Sequence, residues 1–110
     1  MVKSTVIEAL AFMRERLEEE GLRVAKIILF GSYAREQATE ESDIDVAIIS
    51  DDFMDKDIFE RAKLTQDPEI LTIRKYMIPL DIITLTPEEY ESGSSLISLY
   101  AQDGEVVYAA

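Results

Sequence analysis

An α/β fold, a small mixed β-sheet with flanking helices, is what the sequence predicts, and three observations predict it. Apolar residues recur at helical spacing through the first twenty positions. Short runs rich in Ile, Val and Leu follow at about 24–30, 43–50 and 80–85, and Gly, Ser, Asp and Pro punctuate the chain between them. A length of 110 residues, 47% hydrophobic and 31% charged, suits one compact core rather than two, so residues 1–110 are expected to form a single domain.

Val6, Leu10, Met13 and Leu17 place one apolar stripe on a helix over about 3–20. Gly21 is its expected C-cap, although Glu18, Glu19 and Glu20 oppose the helix dipole at that end. A first strand is expected at about 24–30, ending in the turn Gly31-Ser32, where Ser32 has the chemistry to cap a short helix. A polar connection over 36–42 leads to a second strand at about 43–50 and the acidic turn Ser50-Asp51-Asp52. Ile58, Ala62 and Phe59 suggest the inner face of a helix over about 55–66, which Asp67-Pro68 should break before another helical segment near 69–76. The third strand at about 80–85 is followed by Thr86-Pro87-Glu88-Glu89, a helix N-terminus. After Ser92-Gly93-Ser94-Ser95, a helix around 96–101 should end at Gly104, and 105–108 reads as a last edge strand. Met54 and Met77 are expected to fill gaps in the core.

The chemistry concentrates at the ends of the first two strands. Gly31 follows the run Ile27-Ile28-Leu29-Phe30 and allows close backbone approach, while Ser32 offers a hydroxyl and an N–H to a phosphate. Ten residues later, Asp43 and Asp45 open the second run, and period-two alternation puts both carboxylates on one face of a strand. Two such groups repel unless a cation joins them, and hard oxygen ligands suit Mg²⁺ carrying a nucleoside triphosphate; the chain has no His or Cys to favour a softer metal. Each residue also has a plain structural reading, as a β-turn or a solvated strand start.

The combination Gly31-Ser32, ten residues, Asp43-Ile44-Asp45 resembles the signature of the DNA polymerase beta-like nucleotidyltransferase superfamily, and the whole chain resembles its minimal nucleotidyltransferase branch. That resemblance implies the polymerase beta-like nucleotidyltransferase core, with Asp43 and Asp45 as metal-holding acids. It also implies a third carboxylate on a later strand, a position that Asp81 in Leu80-Asp81-Ile82-Ile83 fits. In a chain without histidine, Asp81 is the best candidate for accepting a proton from an attacking hydroxyl. Asp43, Asp45 and Asp81 are thus the expected catalytic and metal residues. Gly31, Ser32 and Arg35 are the expected nucleotide contacts, Arg35 either touching substrate or anchoring the loop. Glu36 departs from the frequent family pattern, in which glycine follows the arginine. Tyr33 stacks on a base, is itself a modified side chain, or, as is commoner for such a tyrosine, packs.

By the same resemblance, the activity expected is transfer of AMP from ATP to a hydroxyl. Minimal members resemble antitoxins that modify a tyrosine of a HEPN-domain RNase toxin, and the partner would complete a pocket that a chain this short cannot build alone. The other readings are a non-catalytic antitoxin that neutralises by contact, a small-molecule nucleotidyltransferase and a nucleotide sensor. A net charge of −12 disfavours direct binding of nucleic acid, whose phosphates call for a basic footprint, and favours a protein partner with a basic surface. Arg23, Lys26, Arg61, Lys63, Arg74 and Lys75 are read chiefly as solvated faces. The absence of cysteine, of a signal-peptide pattern and of a long apolar run suggests a cytoplasmic chain without membrane contact; homo- and hetero-oligomers are both compatible with it.

Overall fold

In the structure, a computed structural model that describes residues 3–31 and 43–110, four strands form one mixed sheet. Helix α1 (Lys3–Glu19) leads into β1 (Lys26–Phe30), and β2 (Ile44–Ile49) follows. A turn of 3-10 helix (Asp51–Phe53) then precedes the long α2 (Ile58–Tyr76), and the chain returns through β3 (Leu80–Leu85), α3 (Pro87–Ser92), α4 (Leu96–Gln102) and β4 (Glu105–Ala109). The strand order is β3-β2-β1-β4, with β2 and β3 parallel and the other two pairings antiparallel. The chain crosses over through α2 because two parallel strands cannot be joined by a tight turn.

Each sheet face has its own core. Val6, Leu10, Met13 and Leu17 of α1 pack with Ile27, Leu29, Ile44, Val46 and Ile48 on one face, where α2 also lies. On the other, Ala101 of α4 and Tyr90 of α3 close over Ile28, Ala47, Ile49 and Leu85. The central strand β2 is therefore covered on both sides, which explains its nearly continuous apolar sequence. Gly104 lets α4 turn tightly into β4: a Cβ there would lie 2.7 Å from the Leu29 carbonyl oxygen.

The expected break at Pro68 does not occur. Helix α2 runs through it, held at its N-terminus by an Asp57–Glu60 capping box and stabilised at its last turn by Arg74 and Lys75. An interior proline costs about 3 kcal/mol through a lost hydrogen bond and a steric clash. Here Pro68 is buried with Thr65 and Thr72 on the inner stripe, and the Thr72 hydroxyl donates to the Pro68 carbonyl at 2.7 Å, so packing offsets that cost.

Running the helix through shifts its inner face. Ile58 and Phe59 are 72% and 76% exposed, and Ala62 is exposed, contrary to expectation. Met54 and Met77 also face outward instead of filling the core; Met77 is the left-handed C-cap of α2, and its side chain is 80% exposed. Nor does Arg61 lie on a solvated face. Its side chain is only 13% exposed and donates to the Lys56 carbonyl at 2.9 Å, the Thr84 carbonyl at 3.2 Å and the Glu89 carboxylate at 2.7 Å.

Candidate functional site

The acids gather at one end of the sheet, on the face that α3 and α4 cover only in part. Register sets Phe30 opposite Asp45 across the β1–β2 pair and Asp45 opposite Asp81 across the β2–β3 pair. Directly paired residues share a face, so Asp45 and Asp81 stand side by side on neighbouring strands at the usual spacing of about 4.8 Å. Asp43 lies two positions before Asp45 and is exposed, on the same side by alternation. On that face the apolar cover begins one step further along, at Ala47 and Ile83.

Gly31 shapes the site next to Asp45. It leaves β1 with φ +72°, in the left-handed region, and a Cβ built on it would stand 2.2 Å from Oδ2 of Asp45. Only glycine therefore lets the turn close onto this carboxylate. Ser32 and Arg35, the other expected nucleotide contacts, lie outside the described residues, as do Tyr33 and Glu36.

Among the described residues, no group of three or more His, Cys, Asp or Glu side chains converges closely enough to hold a metal ion. The strands bring Asp45 and Asp81 into register and Asp43 to the same end without drawing the three carboxylates into one cage. The donor set is nonetheless all hard oxygen, in keeping with Mg²⁺, which takes one or two carboxylates and completes its shell with water and phosphate oxygens.

One acid was missed from the sequence. Glu69 is half-buried on α2, and its carboxyl is pushed above the usual range by burial and, second, by the charge of Asp81. The expected break at Asp67-Pro68 hid it: in one unbroken helix, Arg61, Thr65 and Glu69 share a row facing β3. With Ile58, Ile82 and Ile97 they line an open groove of about 460 Å³ beside that strand.

Comparison with known proteins shows what the chain as a whole resembles. The family described as nucleotidyltransferase domain matches residues 10–101 of the chain. Two proteins of Methanocaldococcus jannaschii, both provisionally named protein adenylyltransferases, are similar in sequence: one is 69% identical over 29 residues, 26% of this chain, and the other 33% identical over 78 residues, 71% of it. The matches span 29% and 52% of those relatives' own lengths. Among solved structures, a provisionally named nucleotidyltransferase of Sulfolobus solfataricus superposes with a TM-score of 0.62 at 16% identity, covering 99% of this chain and 90% of its own. A toxin-antitoxin structure with AMP-PNP superposes with a TM-score of 0.60 at 21% identity, covering 89% of this chain and 72% of its own. At such identities the superpositions speak for the fold.

Proposed function

The chain belongs to the nucleotidyltransferase domain family, and from that premise we propose that it transfers AMP from ATP to a hydroxyl of a partner protein, a tyrosine of a HEPN-type RNase toxin, and so acts as an antitoxin. The observation that carries the reading is the register of Asp45 beside Asp81 at the strand end where Gly31 closes onto Asp45. The names of the Methanocaldococcus relatives, protein adenylyltransferases, and of the toxin-antitoxin neighbour support a protein as the acceptor.

The reaction is an in-line displacement. The acceptor oxygen attacks the α-phosphorus of ATP, a new P–O bond forms, the bond to the β-phosphate bridging oxygen breaks, and pyrophosphate leaves. Asp81 takes the proton that the acceptor hydroxyl loses. Of Asp43, Asp45 and Asp81, one or two carboxylates at a time would hold Mg²⁺, with water and phosphate oxygens completing its shell, and the ion would neutralise charge developing at the reacting phosphate. Gly31, Ser32 and Arg35 would be the contacts of the triphosphate, glycine allowing close approach of the backbone and serine and arginine offering donors to its oxygens.

The test is the intact mass of a co-expressed HEPN-type partner after incubation with Mg²⁺ and ATP, using this chain and its Asp43→Ala, Asp45→Ala variant. A gain of AMP on the partner only with the intact acids is the expected result. A stable complex that neutralises the toxin without any mass gain would overturn the catalytic reading and leave neutralisation by contact.

A further inference from the structure

We infer that the acceptor protein docks on the outer face of α4 and the neighbouring acids of α3, through an apolar surface of its own ringed by lysine or arginine. This rests on the protein-modifying reading above and says which side of the chain the acceptor meets.

Helix α4 is built the wrong way round for a helix that serves only its own core. Its small residues Ser98 and Ala101 are buried, while Leu96, Ile97, Leu99 and Tyr100 are 66%, 49%, 48% and 52% exposed. A helix packed on a sheet ordinarily turns its large apolar side chains inward. Leu96, Leu99 and Tyr100 stand at i, i+3 and i+4 on one row, so what is exposed is a contiguous patch rather than scattered side chains. A Ser95–Ser98 capping box, and hydrogen bonds from the Gln102 side chain to the Tyr90 and Glu91 carbonyls of α3, hold the helix in this attitude.

Charge decides what covers the patch. All 11 Lys and Arg lie within residues 1–75, whereas Asp81, Glu88, Glu89, Glu91, Asp103 and Glu105 follow. Arg61 pairs with Glu89 and Lys3 with Glu105, and Lys26 lies over the Tyr90 ring. Among the described residues no ion pair holds Glu88, Glu91 or Asp103, and the last two adjoin the C-terminal end of α4. These acids repel a nucleic acid, an anionic membrane or the same face of a second copy, and match a protein that carries Lys or Arg around an apolar centre. The position also suits an acceptor. Gly104 closely follows α4, a Cβ on it would lie 2.9 Å from the Phe30 Cβ, and Phe30 stands opposite Asp45. The patch therefore runs toward the strand ends that carry the acids.

A phage-displayed library of random dodecapeptides, selected on the whole chain without nucleotide, tests this. The expected binders combine apolar residues with lysine or arginine and lose about tenfold or more in affinity to Leu96→Ser and, separately, to Tyr100→Ser. Both side chains are exposed, so these variants fold, and thermal melts verify it. The double variant Glu91→Gln, Asp103→Asn removes the enrichment of basic residues and flattens the salt dependence of binding. In the transfer assay, Leu96→Ser and Tyr100→Ser raise KM for the partner with MgATP affinity unchanged. No enrichment, binders rich in acids or indifferent to both α4 variants, or a partner KM that does not move would each overturn the inference. So would self-association lost in Leu96→Ser, which puts a second copy of the chain on this face. Peptide selection requires no AMP transfer, so failure of the docking face and failure of the catalytic reading give different results.

Discussion

Replacing Gly31 by alanine separates the two demands placed on that residue, because Gly21 provides an internal control. Both have positive φ, +93° at Gly21 and +72° at Gly31, but a Cβ at Gly21 meets nothing within 4 Å, whereas one at Gly31 lies 2.2 Å from the Asp45 carboxylate. Left-handed backbone costs an L-residue roughly 1–2 kcal/mol, and the stiffer unfolded chain returns about 0.4–1 kcal/mol of it. With about 4–8 °C per kcal/mol in a domain of this size, Gly21→Ala should lower Tm by a few degrees and leave nucleotide chemistry alone. In Gly31→Ala the Asp45 carboxylate must also recede to at least the 3.0 Å limit of real Cβ contacts, a movement of about 0.8 Å. Misplacements near 1 Å can cost on the order of 10²-fold in rate, so Gly31→Ala should lose about that much AMP transfer and bind MgATP more weakly. Thermal melts, calorimetric titration with MgATP and radiolabelled AMP transfer to the partner read these effects. If Gly31→Ala matches the wild type in transfer while both variants show the same Tm loss, the contact between Gly31 and Asp45 does not matter to the site.

Asp81→Asn should abolish most transfer, by about 10²–10⁴-fold for loss of a general base, yet raise Tm slightly because the like charge beside Glu69 is gone; a lowered Tm would contradict that account. Gly104→Ala should cost roughly 1–3 kcal/mol by overpacking against Ile28 and the Leu29 carbonyl, with MgATP affinity retained, as denaturant melts and calorimetry would show. Asp52→Asn tests a surface pair: the Arg23 side-chain hydrogen bond, then that of the Arg23 backbone N–H, hold the Asp52 carboxyl below its usual range. A depressed folded pKa gives stability that is present above the unfolded value and lost as pH falls through the folded one. The Tm gap between wild type and Asp52→Asn should therefore be open at neutral pH and close below the ordinary carboxylate range, and a gap constant with pH would refute the pairing.

What could be read from the sequence follows from how local the cause is. The run of β-formers and its flanking turn signals locate β3 at 80–85 as expected, and the helical stripe of α1 supplies the core residues Val6, Leu10, Met13 and Leu17. Thr86 caps α3 through a capping box, as its local chemistry suggests. Helix α2 was not legible because Pro68 is a local veto on helix, and only its burial between Thr65 and Thr72 overrides that veto. The error spread outward: cutting the helix at Pro68 assigned Ile58 and Phe59 to the core and hid Glu69 altogether. Arg61 was misread for a similar reason. Its partners Thr84 and Glu89 lie far along the chain, and nothing near residue 61 announces them.

The site itself is legible only in part, because a motif specifies residue types while register determines which of them meet. Asp43 and Asp45 share a face by alternation alone, but no periodicity could say that β3 lies parallel to β2 with Asp81 opposite Asp45 rather than one residue along, where its carboxylate would point to the other face. The crossover through α2 brings the two strands together, and the same helix carries Glu69 to where the charge of Asp81 is felt. A fold selected for stability alone gains nothing by lining up two acids side by side on adjacent strands.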